Sequence, residues 1–200
     1  MIKKEFIEFD LNDMIAAGSI ISPRDYQYYE GLKKRRIVFN NQVDEDIVEG
    51  IILPLIDMDN DGTGLPIEIY LSSPGGSLFD GMNLCAVIDR LKTPTTIIAP
   101  TYCYSMGGLF LMAGKNNPNV IKKCYPFTTA LIHSGSTYLS GNTSSVRDTF
   151  QFYERFEEKI KDYIISHTDI TVEEYDKMEK TEWYMTAEDL LEKGIVDEIL

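Results

Sequence analysis

The sequence predicts an α/β fold, and three observations carry that prediction. Strand-like and helix-like signals alternate along the chain. Two of the strand-like runs, residues 67–71 and 95–99, each lead into a glycine-bearing turn and then into apolar residues at helical spacing. The 200 residues, 44% of them hydrophobic, suffice for one buried core, and no linker, repeat or low-complexity tract divides them.

Residues 1–30 read as an N-terminal extension or gate segment and 31–200 as one domain. The cluster Lys33-Lys34-Arg35-Arg36 precedes a strand-like run and suits local ion pairing. Asp44 or Asp46 is placed to cap a helix with Ile47, Val48, Ile51, Ile52, Leu55 and Ile56 on its apolar face. Pro54 should kink that helix or mark its last turn. Residues 57–64 form a polar, loop-sized break, and 67–71 a short strand that runs into Ser72-Ser73-Pro74-Gly75-Gly76-Ser77. Helical spacing follows over 82–91. The β-branched run 95–99 reads as a buried strand, Tyr104-Ser105-Met106-Gly107-Gly108 as a turn, and 109–112 as an apolar helix ending near Gly114. Ala130-Leu131-Ile132-His133 closes another short strand. Residues 144–166 make a long amphipathic helix with Phe152, Phe156, Ile160 and either Tyr163 or Ile164 on one face. Thr171-Val172-Glu173-Glu174 and Thr186-Ala187-Glu188-Asp189 look like capping-box starts, and Gly194 ends the last helix.

Three of these places can carry chemistry. Ser105 would stand at a helix N-terminus, where free N–H groups and the positive end of the helix dipole stabilise developing negative charge. A serine there is also a favoured cap, so the motif alone is ambiguous. Gly75 and Gly76 allow positive φ and close backbone approach, leaving N–H groups free to face a ligand oxygen, although Pro-Gly-Gly alone is a common turn. Of the two histidines, His167 falls at the end of the long helix and reads as structural. His133 is the one suited to partner Ser105 in a hydrolase. Cys103 lies on the strand side of the turn and reads as packing.

The SSPGGS turn, the YSMGG turn and the LIH strand, in that order, resemble the ClpP family, the proteolytic subunits of the Clp proteases. The similarity continues through Lys34 to Phe39, 61–81, 101–114, Tyr184-Met185-Thr186-Ala187-Glu188 and 193–198. It implies a spiral of ββα units, shared with the crotonases, with a protruding handle helix at about 144–166. It also implies a serine endopeptidase in which Ser105 is the nucleophile, His133 the base, and the Gly76 and Met106 N–H groups the oxyanion hole. The family's acid is an aspartate whose register here falls on Glu182. Glutamate can orient an imidazole over one more methylene. Asp176 and Glu179 are alternatives if the register slips.

The same resemblance implies a homo-oligomer of heptameric rings stacked as a tetradecamer, with handle helices packed ring against ring. The aromatic face of 144–166 suits such an interface, and suits a core-facing stripe nearly as well. A hexameric Clp ATPase would feed unfolded proteins or peptides into the chamber, docking at apolar pockets where this chain keeps Tyr70 but carries Glu68. Thr101, Tyr102, Cys103 and Tyr104 replace the smaller residues usual before the serine, which implies a bulkier wall. Ser134 and Gly135 follow His133 where the family has a polar residue and proline, leaving Gly141 as the main glycine of the groove segment.

The formal charge of −13 opposes a nucleic-acid surface. Cys85, Cys103 and Cys124 have no CxxC spacing and suit reduced thiols, and no metal-ligand spacing or cofactor motif appears. Residues 1–10 lack an apolar h-region and cleavage site, and no run reaches about eighteen apolar residues, so a cytoplasmic protein with no membrane span is expected. Two alternatives stand beside the peptidase: a non-catalytic structural subunit of a Clp-like ring, and a specialised phage-type maturation peptidase. An acyl-CoA enzyme of the crotonase group would share the fold, but its nucleotide-binding features are not visible and it does not require a serine–histidine pair.

Overall fold

The computed structural model describes residues 22–136 and 138–200, so the reading of residues 1–21 as part of an extension or gate lies outside the described residues. Helix α1 (Pro23–Lys33) starts where proline is pre-organised for the first helical position and the Ser22 hydroxyl accepts from the Asp25 N–H. It leads to strand β1 (Arg36–Phe39). The basic cluster between them is spent locally: Lys33 pairs with Glu30 at 3.0 Å, Arg35 with Asp61, and Arg36 with Glu68 at 2.8 Å.

The apolar face around Ile47 corrects one expectation. The chain winds as a π-turn over Val48–Ile52 and continues directly into α2 (Leu53–Asn60), so Pro54 neither ends the helix nor sits in its last turn. A π-turn shifts the ladder by one residue, with the Leu53 N–H donating to the Val48 carbonyl, and relieves the crowding that a proline ring imposes on the turn before it. The Glu49 and Gly50 carbonyls are thereby left over, and the Tyr28 hydroxyl lies 3.2 Å from both and donates to them. Helix α2 also absorbs the start of the expected polar break: Asp57 to Asn60 are helical, with Leu55 and Met58 buried beneath them.

The remaining elements are β2 (Ile67–Leu71), α3 (Leu78–Ile88), β3 (Thr95–Ala99), β4 (Tyr102–Tyr104), α4 (Met106–Met112), β5 (Val120–Cys124), β6 (Thr129–Ile132), α5 (Thr143–Ser166), α6 (Val172–Met178), β7 (Trp183–Met185), α7 (Ala187–Glu192) and β8 (Glu198–Ile199). Helix α3 begins four residues before the helical spacing read at 82–91, because the Ser77 hydroxyl caps it by accepting from Asp80 N–H. The capping boxes at Thr171 and Thr186 form as expected.

Five strands form one parallel sheet in the order β1-β2-β3-β5-β8, and β4-β6-β7 form a second, smaller sheet. The chain visits the large sheet, then the small one, then a helix: β3-β4-α4 and β5-β6-α5 are successive turns of a spiral. Earlier turns keep rudiments of the same plan, since Val43 bridges Gly76 and Ser73 bridges Cys103 as isolated parallel pairs. The mixed α/β spiral of ββα units is therefore the architecture expected.

Strand alternation builds the core. Ile67, Ile69 and Leu71 face inward with Ile37, Phe39 and Ile97, against Ile51, Leu55, Leu84 and Ile88. Among the described residues one inward position carries a charge. Lys122 falls in phase with Val120 and Cys124 on β5, is 1% exposed, and sends its ammonium toward the Met112 carbonyl at 3.4 Å. Burial pulls its pKa down to about 8, only partly offset by the Asp197 charge.

Helix α5 projects from this body. Ile164 is its one fully buried residue among those described, and its base is pinned by Tyr163, whose hydroxyl donates to Asp89 at 3.0 Å. His167 is structural, as expected: its ring stacks on Tyr163 with centroids 3.8 Å apart, Nδ1 lies 2.9 Å from the Tyr163 carbonyl, and Nε2 lies 3.3 Å from Asp89. Farther out, Phe152 and Phe156 pack on Phe79 of α3, and Phe79 and Phe152 keep an exposed side.

Candidate active site

The small sheet assembles the site. The sequence places the serine in a turn between strand 95–99 and an apolar helix; an extra strand, β4, lies between that strand and the serine and belongs to the other sheet. Two parallel strands, β4 and β6, end side by side, with Tyr104 opposite Leu131. The Ser105 N–H continues that ladder by donating to the Leu131 carbonyl at 2.8 Å. Strand β7 runs antiparallel to β6, with Ile132 opposite Trp183. One further step of that register sets His133 opposite Glu182. Ser105 and Glu182, more than seventy residues apart in sequence, thus stand with His133 at one end of one sheet.

Ser105 is held under strain. Its φ of 53° and ψ of −121° put a non-glycine residue in left-handed space, a conformation that costs about 1–3 kcal/mol and persists only where the surroundings enforce it. What enforces it is a sharp reversal from β4 into α4, with Gly107 so close to the preceding loop that a Cβ there would lie 2.7 Å from the Ser73 carbonyl. Ser105 caps α4 by its backbone, accepting from Gly108 N–H at 2.9 Å, and not by its hydroxyl.

The Pro-Gly-Gly turn packs on this reversal. A Cβ on Gly75, at φ +94°, would lie 2.6 Å from Ser105 Cβ and 3.0 Å from the Met106 nitrogen, and one on Gly76, at φ +146°, would lie 2.1 Å from the Val43 carbonyl. Only glycine fits either position. Among the described residues neither the Gly76 N–H nor the Met106 N–H has an acceptor. Two unpaired donors beside a strained serine can stabilise an oxyanion.

His133 Nδ1 lies 3.6 Å from Glu182 Oε1, and the Tyr184 hydroxyl donates to Glu182 Oε2 at 3.0 Å. That hydrogen bond, and then the carboxylate's charge, raise the Tyr184 phenol above its ordinary value, so it stays protonated as a donor. Among the described residues no hydrogen bond joins Ser105 to His133. Asp176, the carboxylate of a slipped register, is engaged by Lys161 at 2.5 Å. Cys103 is fully buried and burial pushes its thiol up, away from the thiolate a nucleophile needs.

Two residues at or near the site escaped sequence reasoning. Tyr184 touches the acid, and its signal was its place two residues beyond Glu182 on a strand, which puts both on one face. Lys122 supports the last turn of α4 from below, and its signal was period-two alternation with Val120 and Cys124. Among the described residues no three His, Cys, Asp or Glu side chains converge as a metal site would require.

The fold is thus a mixed α/β spiral of ββα units with a strained serine and a histidine–carboxylate contact at the end of its small sheet, and its class as a peptidase follows from the family it matches. The Clp protease family profile matches residues 22–200, and the chain belongs to that family of peptidases. It is similar to the ATP-dependent Clp protease proteolytic subunit of Deinococcus radiodurans, with 26% identity over 178 residues that cover 88% of this chain and 86% of that protein.

Proposed function

We propose that the protein is a serine endopeptidase that cleaves unfolded proteins or peptides inside an oligomeric chamber. Ser105 Oγ attacks the peptide carbonyl carbon while His133 Nε2 takes its proton and Glu182 holds Nδ1. The oxyanion is received by the Gly76 and Met106 N–H groups. The C–N bond then breaks, the proton passes from His133 to the leaving amine, and an acyl-Ser105 ester remains. Water, deprotonated by His133, hydrolyses that ester and the proton returns to Ser105.

The observation that supports this reading is the register of the small sheet, which sets His133 opposite Glu182 and puts Ser105 at the end of the neighbouring strand. Membership of the Clp protease family supports it. The exposed rings of Phe79 and Phe152 supply apolar surface suited to packing between stacked heptameric rings. Val38, Tyr70 and Tyr102 line an open groove on the outer face of the large sheet, suited to a hexameric Clp ATPase, with the nearby Glu68 charge paired to Arg36. No helix among the described residues is long and apolar enough to cross a membrane, and the cytoplasm is the proposed setting.

Fluorophosphonate labelling with the mass of the assembly tests the proposal. Wild type labels, Ser105→Ala does not, and the labelled particle contains many subunits. One observation favours a second reading as a structural ring subunit, the lack of a hydrogen bond between Ser105 and His133. That reading predicts a large particle that never labels.

A further inference from the structure

We infer that Tyr184 is a positioning residue for the acid, its phenol clamping Glu182 so that the longer glutamate arm presents Oε1 to His133. The inference rests on the serine-peptidase reading proposed above. Glu182 is exposed, with 59% of its side chain accessible, and a free glutamate there would spread over many rotamers. Its two oxygens are divided instead: Oε2 accepts from the Tyr184 hydroxyl at 3.0 Å and Oε1 faces His133 Nδ1.

Tyr184 can serve as a clamp because it is itself held. It lies opposite Leu131 in the β6–β7 ladder, whose other neighbour is Tyr104 on β4. The Tyr104 and Tyr184 rings meet edge to face with centroids 6.1 Å apart. Tyr104 is fixed in turn by a 2.9 Å hydrogen bond between its hydroxyl and that of Thr129, and by the Tyr102 ring at 5.1 Å. The large residues before the serine therefore brace the carboxylate across the sheet, in addition to forming a bulky wall. A chain Tyr102, Tyr104, Tyr184, Glu182, His133 links the nucleophile's strand to the acid.

Tyr184→Phe keeps the ring contact and removes only the donor, so saturation kinetics of fluorophosphonate labelling on the full chain isolate it. The maximal labelling rate is expected to fall roughly five- to tenfold, the scale of one hydrogen bond to a charged group at an exposed site, with the apparent probe affinity unchanged. In a Glu182→Gln background the same change should lower the rate by less than about twofold, because the residue acts through Glu182. If wild type does not label, the serine-peptidase reading fails and takes the inference with it. A Glu182→Gln variant that labels at the wild-type rate removes Glu182 as the acid. If Glu182→Gln is slow while Tyr184→Phe matches wild type, or slows both backgrounds by one factor, the clamp alone is overturned.

Discussion

Lys122 offers the sharpest test of the packing argument. Its ammonium is enclosed on β5 beneath α4, and burial lowers its pKa from the ordinary 10.5 to about 8. At about 1.36 kcal/mol per pH unit, that displacement corresponds to about 3 kcal/mol that the folded protein forgoes by holding the lysine charged at neutral pH. The unfolded chain binds this proton more tightly than the fold does, so the contribution is unfavourable below pH 8 and fades as the pH rises toward 10.5. Lys122→Met fills similar volume without the charge, but gives up the hydrogen bond to the Met112 carbonyl, worth about 1 kcal/mol. The variant should thus be about 2 kcal/mol more stable than wild type at neutral pH. Urea unfolding at fixed subunit concentration, at about pH 7 and about pH 10, reads both the gap and its closure. A gap of the same size at both pH values, or a variant less stable at neutral pH, would refute the account of Lys122 as a buried, strained cation.

Two further outcomes follow from geometry already described. Gly75→Ala drives a Cβ to 2.6 Å from Ser105 Cβ at a φ that alanine avoids, so labelling should fall by about two orders of magnitude or more, while Gly50→Ala, which meets nothing within 4 Å, should label like wild type. Equal labelling of the two variants would mean that the Pro-Gly-Gly turn does not set the serine. At Asp89, burial by itself would raise the carboxyl, but hydrogen bonds from His167, the Gly114 N–H and Tyr163, with the His167 charge, outweigh it and hold the group below its usual 3.8. The stability this confers is present above that ordinary value and is lost as pH falls through the lower folded one. Asp89→Asn should therefore unfold more easily at neutral pH by about 1–3 kcal/mol, with the difference from wild type shrinking in acid, as urea midpoints down to about pH 3 would record. A difference that persists undiminished in acid would contradict the assignment.

Much of this was legible in the sequence where the governing physics is local. Residues 67–71 and 95–99 announced strands through β-branched alternation, Thr171 and Thr186 announced capped helices, and His167 announced a helix end. Pro54 was legible only in part: the ladder is disturbed at the π-turn just before it, but the helix does not end there, because that π-turn and the Tyr28 phenol, which comes from a helix more than twenty residues earlier, make the proline compatible with a continuing helix. Strand β4 was missed because three residues between two stronger signals carry no period of their own; pairing with β6 creates it.

The site divides the same way. Its residue types and chain order, Ser105, His133, Glu182 and the two glycine turns, belong to the sequence, as does the α/β class, because hydrophobic period and turn chemistry are properties of neighbouring residues. What only the tertiary structure decided is which of these residues face one another. The register of β4, β6 and β7 brings serine, histidine and glutamate to one end of the small sheet and sets Tyr184 on the carboxylate, while the placement of α6 beside α5 gives Asp176 to Lys161. The packing of the large sheet also encloses a lysine that hydrophobicity alone would have left outside. Pairing across a sheet joins residues far apart in the chain, and the free energy that fixes such a pairing comes from the whole packed core, which no local stretch of sequence contains.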